Sequence, residues 1–220
     1  MSYLTAIVTG ATGLTGTELV NQLLEDSRFE QVVVFVRRST GISHPKLREH
    51  IIRMEKPEEW QHLVKGDVLF SAMGTTIAAA GSKPAQYRVD HTYQFWFAKA
   101  AADNQVPVYV LLSSAMANPD SRIFYTRMKG ELERDILKLP FHYIRIIQPG
   151  MLGGDRKEHR SGEKMGMAIL RFFNKLGLMK SQAPIHVSMV AKAMINASFE
   201  QEEKVRIYAL KEVFHQAGKA

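Results

Sequence analysis

Thr9-Gly10-Ala11-Thr12-Gly13-Leu14-Thr15-Gly16 separates an apolar run, Leu4–Thr9, from a helical pattern, Thr15–Asp26. The spacing is Gly-x-x-Gly-x-x-Gly, one residue wider at its start than the Gly-x-Gly-x-x-Gly form. One glycine serves a tight turn, another a close backbone approach to a pyrophosphate, and the third close helix–strand packing. The N–H groups at the helix start then face the phosphates, and the macrodipole adds to the attraction. A ligand-free flexible turn is the alternative. The strand–turn–helix setting favours a dinucleotide site built from Gly10, Thr12, Gly13, Leu14, Thr15 and Gly16.

Outward from this turn, short apolar runs alternate with helix-length segments. The runs are Leu4–Thr9, Gln31–Val36, His50–Met54, Asp67–Met73, Val106–Ser113, His142–Ile147 and Val205–Leu210. Most are continuously apolar, as expected of strands covered on both faces. Helical patterns occupy Thr15–Asp26, Pro84–Asn104, Ile123–Lys138, Gly162–Lys175 and Met189–Phe199. This rhythm predicts an α/β fold, a doubly wound and mostly parallel Rossmann sheet of about seven strands with right-handed crossovers. It breaks near Pro149-Gly150, after which the chain is basic and helical with no convincing strand. We expect one Rossmann domain over residues 1–220, with a small helical lid inserted at about 150–184 on the substrate side.

The 220 residues carry 29 Lys+Arg against 22 Asp+Glu, a formal charge of +7, which points to an anionic partner. Nucleic acid, an acidic membrane or a phosphorylated small molecule would each satisfy it. No interleaved basic–aromatic stripe is present, so nucleic acid is not expected. No apolar run reaches the length of a membrane span, so no membrane association is expected either. Cysteine is absent, which excludes disulfides, thiolate catalysis and cysteine-ligated metal sites. The histidines His91, His142, His159 and His186 lack metal-ligand spacing, and no metal is expected. Met1–Val8 has no basic leader and runs straight into a strand pattern, so the chain reads as cytoplasmic.

The identity of the dinucleotide turns on the end of the second strand, Val36-Arg37-Arg38-Ser39-Thr40. An NAD site would place an Asp or Glu there for the ribose 2′-hydroxyl. Two guanidinium groups suit a 2′-phosphate instead, so Arg37 and Arg38 point to NADP(H). Solvated charges ending a strand are the alternative. After the fourth strand, Met73 and Gly74 would let the ribose and pyrophosphate lie against the strand end, although a tight turn explains them nearly as well.

Tyr125 and Lys129 fall at i and i+4 on a helical pattern, hence on one face. An ammonium beside a phenol favours the phenolate, which suits a general acid for a carbonyl or a general base for an alcohol. By itself the pair is also an ordinary surface pattern; its weight comes from opening the helix just after the fifth strand. That strand ends in Ser113-Ser114. Ser114 is the better candidate to donate to a substrate oxygen and Ser113 the second, with turn chemistry as the alternative.

Taken together, Gly10, Gly13 and Gly16, Ser113-Ser114, Tyr125/Lys129 and Pro149-Gly150 resemble the short-chain dehydrogenase/reductase superfamily. The chain is most similar to the atypical NADP(H)-binding branch of the Tat-interacting protein and its bacterial relatives, through Arg37-Arg38, Met73-Gly74-Thr75-Thr76 and the Gly130-Glu131 that follows Lys129. The resemblance implies NADP(H) as cofactor, Tyr125 as proton donor or acceptor, Lys129 as its partner and a ribose contact, a cofactor contact from Arg156, and a monomer or homodimer. Three residues depart from the pattern. Asp90 stands where many relatives have an asparagine that organises a proton-relay water. Gln148 replaces an arginine before Pro-Gly, and Ser188 stands at a usual aspartate.

Arg156, Lys157, His159, Arg160 and Lys164 form a basic cluster that either meets an anion or is simply solvated. Phe95-Trp96-Phe97 reads as core or a subunit face. Two functional readings follow. One is an NADPH-dependent oxidoreductase acting on a small-molecule carbonyl or alcohol. The other is an NADP(H)-binding regulatory or assembly protein with a protein partner and little turnover.

Overall fold

Leu4–Thr9 folds as the central strand, β1, and its side chains alternate between two hydrophobic layers because successive residues of a strand point to opposite faces. The computed structural model describes residues 3–150, 152–153 and 184–219. On one face Ala6 and Val8 join Val32 and Val34 of β2 (Phe29–Val36), Phe70 of β4 (Val68–Ser71) and Val110 of β5 (Val108–Leu112). Helices α1 (Leu14–Glu25) and α7 (Val187–Ser198) cover that layer with Leu19, Leu23, Val190 and Met194. On the other face Ile7, Val33, Leu69 and Leu111 pack beneath α5 (Gln94–Asp103) and α6 (Phe124–Ile136). Phe97 is fully buried there and stacks on Trp60 at 4.0 Å between ring centroids, while Phe95 and Trp96 are half-buried.

With β3 (Leu47–Ile51), β6 (Tyr143–Gln148) and β9 (Val205–Ala209), these strands make a seven-stranded sheet in the order β3-β2-β1-β4-β5-β6-β9. Every pairing is parallel. The order reverses between β1 and β4, so the connections leaving these two strands part and open a crevice at their carboxyl ends.

Several elements differ from the sequence reading. The third strand occupies Leu47–Ile51 and not His50–Met54. As an edge strand it carries Arg48, Glu49 and His50, so apolar continuity is a poor guide to its position. The helix read over Pro84–Asn104 is interrupted: α4 (Lys83–Tyr87) gives way to a π-helical turn, Arg88–Tyr93, before α5 begins. Helices α2 (Pro57–Trp60), α3 (Ile77–Ala80) and α8 (Lys211–Gly218) were not apparent as patterns. After Pro149-Gly150, where no strand was expected, β7 (Leu152–Gly153) pairs in parallel with β8 (Ile185–His186). Of the lid expected at about 150–184, Gly150, Leu152, Gly153 and Pro184 are described, and β8 begins just beyond it. The helix read at Gly162–Lys175, the basic cluster and Arg156 lie outside the described residues.

Candidate functional site

The crevice floor begins at the glycine turn. Gly10 has φ +81°, and a Cβ there would stand 2.5 Å from the Ala72 carbonyl, so only glycine lets the turn rest on the end of β4. A Cβ on Gly16 would lie 2.0 Å from the Gly10 carbonyl oxygen, which explains the close packing of α1 on its own entry turn. Gly13 differs. Its N–H bonds the Gly10 carbonyl at 2.9 Å, and a Cβ would meet only that oxygen, at 3.3 Å. Among the described residues no side chain caps α1, and its first turn holds no acid. An anion therefore fits on geometry alone, with the helix's leading N–H groups and dipole facing an open glycine surface.

The loop leaving β4 forms one lip. Met73 is buried and Gly74 exposed. The next residue is clamped, because the Thr75 N–H donates to Asp90 Oδ1 at 2.7 Å and Gln86 Nε2 donates to the Thr75 carbonyl at 3.0 Å. Gln86 Nε2 also reaches Asp90 Oδ2 at 3.2 Å. The π-helical turn thus presents Asp90 to the loop, whereas His91 turns away to the Asp135 carboxylate at 3.2 Å. Below, Thr9 donates to Ser71 and Ser71 to Gln94, whose amide donates to the Asp90 carbonyl at 2.7 Å. Burial pushes the Asp90 carboxyl up, against the opposing influence of the Lys129 ammonium and the Gln86 and Thr75 donors.

Helix α6 brings Tyr125 into its first turn, half-buried, and Lys129 one turn on, 4% exposed. A further turn places Glu133, also buried. Glu133 accepts the Ser113 hydroxyl and the Gln148 amide, the latter at 2.9 and 3.1 Å. Burial raises its carboxyl too, opposed by Ser113, Gln148 and Lys129. Lys129 is therefore a buried ammonium within electrostatic reach of two buried acids, Asp90 and Glu133. Gln148, a departure in the sequence comparison, completes this network. Glu133 ties Ser113 down, while among the described residues the Ser114 hydroxyl makes one long bond, to the Ala115 carbonyl at 3.3 Å. The loop between β5 and α6 is fixed by Ala115 N–H to Pro149 and Asn118 N–H to Thr126, each at 3.0 Å.

The second lip follows β2. Ile52 N–H donates to the Val36 carbonyl at 2.9 Å, so the strand is held to its last residue. Arg37 and Arg38 then project exposed, and among the described residues neither forms an ion pair. Beyond them Glu49 of β3 accepts the Ser39 hydroxyl at 2.8 Å, the Thr40 N–H at 2.6 Å and the Thr40 hydroxyl. Burial would push Glu49 up, but these donors outweigh it and hold the carboxyl below its usual range. Arg37, Glu49, His50, Ile51, Ile52 and Arg53 line a cavity of about 470 Å³.

Sequence reasoning therefore missed Glu49 and Glu133. Glu133 repeats the i+4 spacing of Tyr125 and Lys129, and that spacing could have found it. Ser188 is structural, since its N–H and hydroxyl meet His186 Nδ1 at 3.2 and 2.6 Å where α7 starts.

The sequence profile described as NAD(P)H-binding matches residues 10–164. Protein FMP52, mitochondrial, from Eremothecium gossypii is 38% identical over 173 residues, covering 78% of this chain and 75% of that protein. Its namesake from Candida glabrata is 35% identical over 210 residues, covering 93% and 89%. Among solved structures, the Bordetella bronchiseptica enzyme WbmH in complex with NAD+ superposes with a TM-score of 0.71 at 16% identity, covering 94% of this chain and 75% of that one. This last likeness speaks to the fold alone. The names of the relatives overturn the cytoplasmic expectation, since these are mitochondrial proteins. That expectation rested on Met1–Val8, most of which is committed to β1; compartment is an address read by receptors, and strand chemistry does not report it. With its glycine turn, seven-stranded parallel sheet and these relatives, the chain belongs to the NAD(P)H-binding family, as an atypical short-chain dehydrogenase/reductase with a Rossmann fold.

Proposed function

We propose that this chain is an NADP(H)-dependent oxidoreductase that reduces a carbonyl or oxidises the matching alcohol on a small molecule, in the mitochondrial compartment that its relatives' names state for them. One observation carries the reading. An uncapped helix N-terminus with an open glycine face shares the carboxyl edge of the sheet with a buried lysine one turn from a tyrosine and with a strand-end serine. When bound, the nicotinamide supplies or accepts the hydride.

The chain's own groups do the rest. Tyr125 gives its hydroxyl proton to the carbonyl oxygen, or takes one from the alcohol. Lys129 hydrogen-bonds the ribose beside it. Ser114 donates to the same substrate oxygen, while Ser113 is engaged by Glu133. Arg37 and Arg38 take the 2′-phosphate, Met73 and Gly74 back the ribose and pyrophosphate, and Arg156 adds a cofactor contact on the sequence reading.

A second reading is favoured by Asp90. Its two oxygens serve Thr75 and Gln86, a clamp rather than the seat of a relay water. On that reading the chain binds NADP(H) and regulates or assembles a protein partner with little turnover.

NADPH oxidation against aldehydes, ketones and quinones separates the two, with Tyr125→Phe as control. Turnover that vanishes in the variant supports the oxidoreductase. Tight NADPH binding with no turnover on any substrate supports the regulator.

A further inference from the structure

Arg37 and Arg38 form an arch with two abutments. The near one is the Ile52–Val36 bond between β3 and β2. The far one is Glu49. A hydroxyl has a single hydrogen to donate. Ser39 and Thr40 both spend theirs on Glu49, and accept from the N–H two residues on, Gly41 N–H to Ser39 Oγ at 3.1 Å and Ile42 N–H to Thr40 Oγ1 at 3.2 Å. The turn after the arch is thereby closed on itself. Neither hydroxyl has a hydrogen left for a ligand, so the side-chain donors the arch offers a phosphate are the two guanidinium groups.

We propose that Glu49 is a positioning residue for cofactor choice, holding the far end of the Arg37–Arg38 arch so that both guanidinium groups converge on the 2′-phosphate. This rests on the NADP(H) reading above. Glu49 itself contacts no phosphate, and its carboxylate alone would repel one. Its effect is mechanical and opposes the direct Coulomb effect, which makes the two separable.

The test uses the full chain and titrates NADPH and NADH calorimetrically against wild type, Glu49→Ala, Glu49→Gln and the double variant Ser39→Ala/Thr40→Val. Wild type should prefer NADPH. Glu49→Ala should weaken NADPH about tenfold and NADH less than about twofold, about one charge-assisted hydrogen bond's worth of positioning. Ser39→Ala/Thr40→Val should reproduce that selective loss with Glu49 in place. Glu49→Gln keeps an acceptor for the Thr40 N–H and sheds the charge, so it should stay within about threefold of wild type for NADPH. If Glu49→Ala binds NADPH as tightly as wild type or more tightly, or loses both cofactors equally, Glu49 is no abutment and the proposal is overturned while the NADP(H) reading stands. If wild type binds both cofactors alike, the NADP(H) reading fails and takes the proposal with it.

Discussion

Glu133 accepts the hydroxyl hydrogen of Ser113, so one of the two serines that end β5 is bound to the helix carrying Tyr125 and Lys129. The neighbours Ser113 and Ser114 consequently have different work. Ser113→Ala removes a donor from a buried carboxylate and should cost about 1–3 kcal/mol of stability, measured by urea unfolding. Ser114→Ala should leave the unfolding midpoint nearly unchanged and, on the oxidoreductase reading, lower kcat about 100-fold. Equal effects of the two variants on both measurements would contradict this division.

Gly130 makes an opposite prediction to helix propensity. In a helix interior, Gly→Ala ordinarily stabilises by about 1 kcal/mol. Here a Cβ would stand 2.3 Å from Asn118 C and Pro119 N, backbone atoms of the β5–α6 loop. Gly130→Ala should therefore destabilise by about 2 kcal/mol, the cost of overpacking, and displace the loop that follows Ser114. A variant with a higher Tm than wild type would show that the loop yields freely.

Asp90 should leave a signature in the pH dependence of stability. Burial lifts its carboxyl above the ordinary 3.8, so above that value the folded chain holds a proton that the unfolded chain has lost. The associated stability is fully present below 3.8 and fades as pH rises through the lifted folded-state value. Asp90→Asn keeps an acceptor for Thr75 and removes the titration, so it should gain on wild type progressively from about pH 4 upward. Urea midpoints measured across that range test it; a constant offset between the two proteins would mean that Asp90 does not titrate abnormally.

Arg37 and Arg38 should act on one cofactor only. Each guanidinium–phosphate contact is worth about 1.5–3 kcal/mol, so Arg37→Ala and Arg38→Ala should each weaken NADPH about 10- to 100-fold and leave NADH nearly unchanged. Fluorescence titration of both cofactors reads this directly. Parallel losses would assign the arginines to the part common to both cofactors.

The glycine turn and the central strands were legible in the sequence because each rests on a local rule. Strands buried on both faces must be apolar throughout, and a turn where a Cβ would stand 2.5 Å from the Ala72 carbonyl must be glycine. β3 was misplaced because an edge strand obeys neither rule. The Tyr125–Lys129 pair is visible for the same local reason, while the partners that engage Glu133, Ser113 and Gln148, come from the ends of two strands that no spacing within α6 reports. Glu49 was invisible for a different reason. Its partners Ser39 and Thr40 reach it through strand pairing, Val34 against Glu49, and no periodicity within β2 or β3 encodes that register.

The π-helical turn at Arg88–Tyr93, which itself carries Asp90, lies between two parts of one helical stretch with separate duties: Gln86 before it holds the Thr75 carbonyl, and Phe97 after it fills the layer against Trp60. Such a turn is equivalent to a residue inserted into an α-helix. Excising one residue would let the stretch run as a regular α-helix while rotating its leading segment by about 100° about the axis. Gln86 would swing off the crevice lip while Phe97 kept its place. The fold thus contains an indexing joint, at which a change of a single residue in chain length resets the lip and leaves the foundation undisturbed.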